Sequence, residues 1–408
     1  DQTVLDAMSE DDLYLNLNNL WKNYCITGTY EPGSVAKPFT VAMALEKGDI
    51  TPNSTFECSG YMEIGGYKIR CHNGAEGTMT LEKAVAKSCN VTMMKIAQLV
   101  GADDFCEYQR VFNFGLKTNV DLAGEARTAS LVYSADQMGP TDLATNSFGQ
   151  NFNVTMIQMI TAFSSLINGG YYYEPHLVSK ITNASGATVE NIEPRILKQT
   201  VSEETSAYIR QYCNAVVTEG TGKTARPAGY LIGGKTGTAE TIDQNTHKRS
   251  KDEHVVSFMG YAPADNPQIA IYVVVDRPNV SHQGDAKHAT RLVRSILTEV
   301  LPYLNIFMTE ELSDTEREEL AALNLEITTQ YGQQNPDTTP EEGDGETQPE
   351  QPAEGEEQPA WMSYPIDPAT GYRVDPETGY KYDAQEGFLV EGDENVMGED
   401  GPVNPNIN

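Results

Sequence analysis

The sequence predicts an α/β fold in which a helix-covered antiparallel sheet stands beside an all-helical subdomain. Three observations predict it. Apolar residues recur at helical spacing up to about Val217, for example Met159, Ile160, Phe163, Leu166 and Ile167. Past Gly229 the period becomes that of strands, at Tyr230–Thr241, His254–Ala262 and Ile269–Asp276. Ala289, Leu292, Val293, Ile296, Leu297, Val300 and Leu301 then mark a long amphipathic helix that would cover the sheet.

In chain order, residues 1–30 are polar and irregular, and 1–14 read as an irregular N-terminal remnant leading into a domain over 15–305. A helix is expected to open near Ser34. Proline is tolerated only in a first helical turn, so Pro38 fixes the start, with Gly33 just outside and Gly48 as the stop. The glycines of Phe56–Cys71 suggest a hairpin or an ordered loop. Leu81–Lys87 and Val91–Val100 read as helices. Thr155-x-x-Gln158 is a capping box, and Ser202 with Glu203 and Glu204 opens a further helix ending before Gly220. Ala262–Pro267 is a short turn, so the last two strands should be antiparallel neighbours. Ile269–Val275 is apolar enough for burial on both faces. A helical extension over 306–335 follows.

The chain has 28 basic and 59 acidic residues, and its acidity is unevenly placed. From Asn335 onward there are 19 acids and 2 bases, a net of -17, so the preceding 334 residues carry the remaining -14 of the total -31. Nucleic acid is thereby an unfavourable partner for either part. Residues 336–360 hold nine acids, no base and repeated prolines, the composition of a disordered linker. The acidic Tyr/Pro/Gly-rich tail over 361–408 repeats Asp367-Pro-Ala-Thr-Gly-Tyr372 at Asp375-Pro-Glu-Thr-Gly-Tyr380. Two copies are too few for a repeat domain, so a solvated tail is expected. Six cysteines are too few for a disulfide-built scaffold. No run of 18 apolar residues occurs, and the chain starts at Asp1, as expected of a fragment whose upstream part is missing.

Glu31-Pro-Gly-Ser-Val-Ala-Lys-Pro-Phe-Thr40 sets a hydroxyl and an amine three residues apart at a helix start, hence on one face. A neutral Lys37 amine could accept the Ser34 proton and make that hydroxyl a nucleophile, which requires a depressed lysine pKa. Two further patterns follow in order, Ser88-x-Asn90 and Lys235-Thr236-Gly237-Thr238 on an expected strand.

The three patterns together resemble the transpeptidase domain of class B penicillin-binding proteins, within the serine β-lactamase-like superfamily. The resemblance covers roughly residues 15–305 and includes Phe148-Gly-Gln150, Gly233-Gly-Lys-Thr-Gly-Thr-Ala239 and Phe258-Met-Gly-Tyr-Ala-Pro263. It implies that Ser34 is acylated, with Lys37 as its proton acceptor. Ser88 would pass a proton toward the leaving amine, Asn90 would hold the substrate amide and Lys235 would tune the field around Ser88. Thr236 and Thr238 would grip a carboxylate, Gly237 would admit the substrate backbone, and the N–H groups of Ser34 and Thr238 would form an oxyanion hole. Implied partners are a peptidoglycan stem peptide ending in D-Ala-D-Ala, β-lactams and a membrane glycosyltransferase engaged through regions absent here. The implied place is the extracytoplasmic face of a bacterial membrane, reached through an N-terminal anchor outside this chain. No cofactor is required. Nothing before Trp21 resembles the strands that open such domains, so the sheet is expected to lack its N-terminal strands.

Other readings stand beside this one. Gly229-x-x-x-x-Gly234-Lys235-Thr236 matches a phosphate-binding loop, which would need a helix after Thr236. A β-lactamase or D,D-carboxypeptidase could use the same serine; for the β-lactamase, Glu125 is the positional candidate for a hydrolytic base although Ala129 breaks its motif. A penicillin sensor would use the site for binding alone. Cys58, Cys71 and His72 could hold a structural zinc with a fourth ligand from elsewhere, or Cys58 and Cys71 could form a disulfide, or the thiols could be free. Cys89 reads as a small buried filler. His254, His282 and His288 read as surface or capping residues, and His247 with Lys248, Arg249 and Lys251 as a water-facing loop.

Overall fold

The computed structural model describes residues 9–242 and 249–323, and farther on three strand pieces at Arg373–Val374, Lys381–Tyr382 and Leu389–Glu391. The chain divides into two units, Asp1–Asn335 and Pro336–Asn408.

The first unit is built on a three-stranded antiparallel sheet. Arg249–Ala262 is its central strand, flanked by Gly233–Ile242 and Ile269–Asp276. Register pairs Met259 with Lys235 and with Tyr272. The side-chain period of two sends Phe258 and Ala262 to one face and Met259 and Tyr261 to the other. On the first face lies the helix Lys287–Tyr303, whose Ala289, Val293, Leu297 and Leu301 are fully buried. Each of the larger three contributes about 1.5–3 kcal/mol by leaving water. On the second face lie the helices Lys37–Lys47, Asn90–Val100, Met156–Ile167 and Glu203–Thr218, which share one core with Met259 and Tyr261. The fold class is therefore the helix-covered sheet plus helical region that the sequence predicts.

Caps fall where the residues dictate. The Thr155 hydroxyl accepts from Gln158 N at 3.3 Å while Gln158 Oε1 accepts from Thr155 N at 2.9 Å. Ser202 caps Glu203–Thr218, and Gly48 ends the Lys37 helix in the left-handed region at φ 76°. The Phe56–Cys71 stretch is strands Tyr61–Ile64 and Tyr67–Arg70 joined at Gly65-Gly66, preceded by Thr55–Cys58, which pairs with Gly77–Thr80.

Three expectations need correction. Ile269–Asp276, expected to be buried on both faces, is an edge of the sheet among the described residues and its apolar side chains are half-buried. An unbroken apolar run reports packing on both faces; it does not report the missing neighbour alongside. Residues 1–30 are not irregular throughout, because Glu10–Leu20 is helical and Tyr24–Thr27 forms a turn capped by Asn23. Leu17, Leu20 and Trp21 are exposed, so no buried stripe advertised the first helix. The extension after 305 is helical at Asp314–Ala322 but packs into the domain, with Ile306, Met308 and Leu320 buried in the core under Lys287–Tyr303.

In the second unit, Arg373–Val374 pairs with Lys381–Tyr382, which pairs with Leu389–Glu391, all antiparallel. The tail expected to be solvated thus contains a small sheet. One strand follows each copy of the repeat, and the third strand lies farther on. Residues 336–360, read as a linker, lie outside the described residues.

Candidate active site

Ser34 sits in a 3-10 turn, Gly33–Ala36, that continues directly into the α-helix Lys37–Lys47. The Lys37 N–H donates to the Ser34 carbonyl, so the two side chains leave from consecutive turns. Two glycines hold this turn. Gly33 has φ 60° and its N–H donates to the Gly149 carbonyl at 2.9 Å. Gly149 has φ 88°, and a Cβ there would stand 2.0 Å from the Gly33 carbonyl oxygen, so only glycine permits this approach. The resemblance included Phe148-Gly-Gln150 without giving it a task, and its task here is to seat the nucleophile turn.

The turn lies against the Lys235 strand. A Cβ at Gly33 would meet the Thr238 carbonyl oxygen at 2.8 Å, and one at Gly237 would meet Ser257 Oγ at 2.3 Å and Val35 Cγ1 at 3.1 Å. Gly237 is thus required by the protein's own packing, whereas the expected reason was access for substrate. The N–H and C=O of a strand residue point to the same side, so the Thr238 N–H faces the Ser34 turn along with its carbonyl. The Thr238 side chain is exposed, with Oγ1 3.5 Å from the Gly284 carbonyl.

Ser88 joins the helices Leu81–Ala86 and Asn90–Val100 with φ 58°, a left-handed conformation unusual for serine. This turn aims its hydroxyl between two lysines. Lys37 Nζ donates to Ser88 Oγ at 2.8 Å and to the Ser88 carbonyl at 2.6 Å. Lys235 Nζ donates to Ser88 Oγ at 3.0 Å and to the Thr236 carbonyl at 3.1 Å. Asn90 Nδ2 donates to the Arg70 carbonyl at 3.1 Å. Thr236 shares a 2.7 Å hydroxyl contact with Thr221, a residue that sequence reasoning missed because no motif contains it.

Both lysines are fully buried, and their hydrogen bonds go only to hydroxyls and carbonyls. Burial pushes the Lys37 amine down to about 7, with Cys89 and Cys71 acting in the opposite sense. Burial, and then the charge of Lys37, hold Lys235 well below the ordinary lysine range.

The cysteine expectation changes. All six cysteines are free. Cys58 Sγ lies 3.5 Å from Cys71 Sγ, with no bond between them, and Cys71 Sγ lies 3.6 Å from Cys89 Sγ. The third member of the cluster is Cys89, while the expected ligand His72 is exposed. The reason is topological: the Ser88 turn brings Cys89 under the hairpin end, and the residue after Cys71 points to solvent. Hydrogen bonds from Cys71 and from Thr92 hold the Cys89 thiol below its ordinary range, and sharing that proton raises Cys71.

Other expectations resolve as follows. Glu125 is buried and accepts from Thr118 N at 2.6 Å, Thr118 Oγ1 at 2.8 Å and Asn119 N at 3.1 Å, so it braces a loop and is not available as a base. The strand runs on to Ile242 with no helix after Thr236, which removes the phosphate-loop reading. Arg249, expected to face water, makes a two-pronged pair with Glu31 at 2.7 and 2.8 Å and reaches Asn151 Oδ1 at 3.0 Å. His282 is exposed and His288 half-buried, and His247 and Lys248 lie outside the described residues.

A hydroxyl on a helix-start turn, two buried amines around a second hydroxyl and an adjoining strand make up the candidate active site. The chain belongs to the penicillin-binding protein transpeptidase domain family, whose model matches residues 4–298. It is 37% identical over 288 residues to stage V sporulation protein D of Bacillus subtilis, covering 70% of this chain and 44% of that protein. The chain thus spans less than half the length of that relative. Among solved structures it resembles the apo transpeptidase domain of penicillin-binding protein 3 from Burkholderia pseudomallei, with TM-score 0.64 and 27% identity, covering 71% of this chain and 84% of that one. It also resembles penicillin-binding protein 3 from Mycobacterium tuberculosis complexed with aztreonam, with TM-score 0.64 and 29% identity, covering 71% and 66%.

Proposed function

We propose that the chain is a serine D,D-transpeptidase that crosslinks peptidoglycan stem peptides through an acyl-enzyme on Ser34. The observation that carries this reading is the Ser88 hydroxyl held between Lys37 and Lys235. A neutral amine has two N–H donors and one lone pair. Both Lys37 donors go to Ser88, which leaves the lone pair for the Ser34 proton. A hydroxyl has two lone pairs and one donor. Ser88 accepts from both lysines, which leaves its own O–H for a leaving amine.

Ser34 Oγ attacks the carbonyl of the penultimate D-alanine, and its proton moves to Lys37. The C–N bond to the terminal D-alanine breaks, its nitrogen takes the Ser88 proton and Lys37 restores it. The N–H groups of Ser34 and Thr238 stabilise the oxyanion, by about 3–4 kcal/mol per donor. Thr236 and Thr238 bind the terminal carboxylate and Asn90 the substrate amide. A stem-peptide amine from a neighbouring strand then attacks the ester and returns the proton to Ser34.

The chemistry needs no cofactor. β-Lactams acylate the same serine, in keeping with the aztreonam complex of a structural relative. The β-lactamase alternative is disfavoured because the Glu125 carboxylate accepts three hydrogen bonds within its own loop. The relatives' names place them in sporulation and peptidoglycan synthesis, and the proposed site of action is the outer face of a bacterial membrane beside a glycosyltransferase. Incubation with paired stem peptides tests the reaction. A crosslinked dimer with release of D-alanine is expected, whereas D-alanine release with free tetrapeptide alone would make the chain a carboxypeptidase.

A further inference from the structure

We propose that Cys58, Cys71 and Cys89 form a three-thiolate site for a thiophilic divalent cation of the zinc type, buried behind the Ser88 turn. The inference is independent of the acyl-transfer reading, because it rests on the sulfur atoms alone. All three are buried and mutually within 4.8 Å, with two separations of 3.5 and 3.6 Å. Zinc about 2.3 Å from each of three tetrahedrally placed sulfurs sets them about 3.8 Å apart, and the Cys58–Cys71 and Cys71–Cys89 separations lie within a few tenths of an ångström of that. A disulfide needs two sulfurs about 2.05 Å apart, far inside the 3.5 and 3.6 Å separations here.

The surroundings point the same way. Val91 N–H donates to Cys71 Sγ at 3.2 Å, and Thr92 donates to Cys89 Sγ through its N–H at 3.4 Å and its hydroxyl at 3.3 Å. Donors aimed at sulfur orient its lone pairs and favour the thiolate, as the outer shell of a metal site does. With His72 exposed, the fourth position falls to water or to the Gly74 carbonyl, 3.7 Å from Cys58 Sγ. Binding forms three metal–sulfur bonds and releases up to three protons to solvent, with no change of oxidation state.

The site has a use. Cys58 ends one strand, Cys71 follows the hairpin strand Tyr67–Arg70, and Cys89 stands between Ser88 and Asn90. A cation joining them ties the left-handed Ser88 turn to the hairpin beneath it.

The full chain, purified reduced and without oxygen, is titrated with Co²⁺ and then Zn²⁺. The expected result is one cobalt per chain with a thiolate-to-cobalt charge-transfer band, displaced by one equivalent of zinc. Cys25→Ser leaves the band unchanged, since Cys25 is exposed and outside the cluster. Cys58→Ser lowers the band by about a third or abolishes it. The wild-type titration carries the test even if that variant does not fold. No saturable band with cobalt in excess, or a disulfide among the three residues in place of metal, would overturn the proposal. Fluorescent penicillin applied to the same samples separates the two readings. Labelling without metal removes the cation site alone, and metal without labelling removes the acyl-transfer reading alone.

Discussion

At the scale of single residues the account turns on a lysine that must be an amine. Burial lowers Lys37 to about 7, so penicillin acylation should rise as pH passes upward through about 7 and then level off. A rate flat from pH 6 to about 9 would contradict this assignment. The same burial sets a stability dependence. Unfolded, the amine keeps its proton up to about its ordinary value of 10.5. The unfolded chain therefore binds more protons across that window, and stability rises with pH from about 7 toward 10.5. Lys37→Met should remove that component, flattening the pH dependence of urea midpoints relative to wild type, while abolishing acylation. Of the proposed site, Ser34, Lys37, Ser88, Asn90 and Lys235 were open to sequence reading because each lies in a short pattern. Cys89 and Thr221 were not, since their partners Cys71 and Thr236 are brought to them by a hairpin and by a strand. Spacing along the chain carries no record of that meeting.

At the scale of elements, the nucleophile turn is held from two sides. Arg249, at the start of the central strand, ties Glu31 to Asn151, whose N–H donates to Glu31 Oε1 at 2.9 Å. Glu31 is largely buried and Arg249 is 29% exposed, so solvent screens the pair only in part. Arg249→Ala should cost about 1–3 kcal/mol in chemical denaturation and slow acylation, because it leaves a nearly buried carboxylate with fewer donors. Gly149→Ala should be worse, about 3 kcal/mol or more, because its Cβ would overlap the Gly33 carbonyl. Acylation kinetics on whatever folds should fall with it, and unchanged kinetics would remove Gly149 from the account. The strands, the Thr155 capping box and the Lys37 helix were readable from period and punctuation. The Glu31–Arg249 pair was not, because a charge cluster in a polar loop looks the same whether it faces water or a carboxylate 218 residues away.

At the scale of the whole molecule, the catalytic arrangement belongs to the first unit. The buried core among the described residues ends at Leu320, and the chain divides after Asn335. A chain ending at Asn335 should keep its melting temperature and penicillin acylation rate while losing a net charge of -17. A large loss of either would show that the acidic unit supports the domain. The composition shift falls at the same place in the chain as this division, but it gave no sign of the small sheet beyond, since two-residue strands have too short a period to read. The central claim is tested most directly by trapping the chain with a penicillin and mapping the adduct by peptide mass spectrometry. The account predicts one adduct, on Ser34, absent from Ser34→Ala. A stable adduct on another residue, or labelling that survives Ser34→Ala, would contradict it.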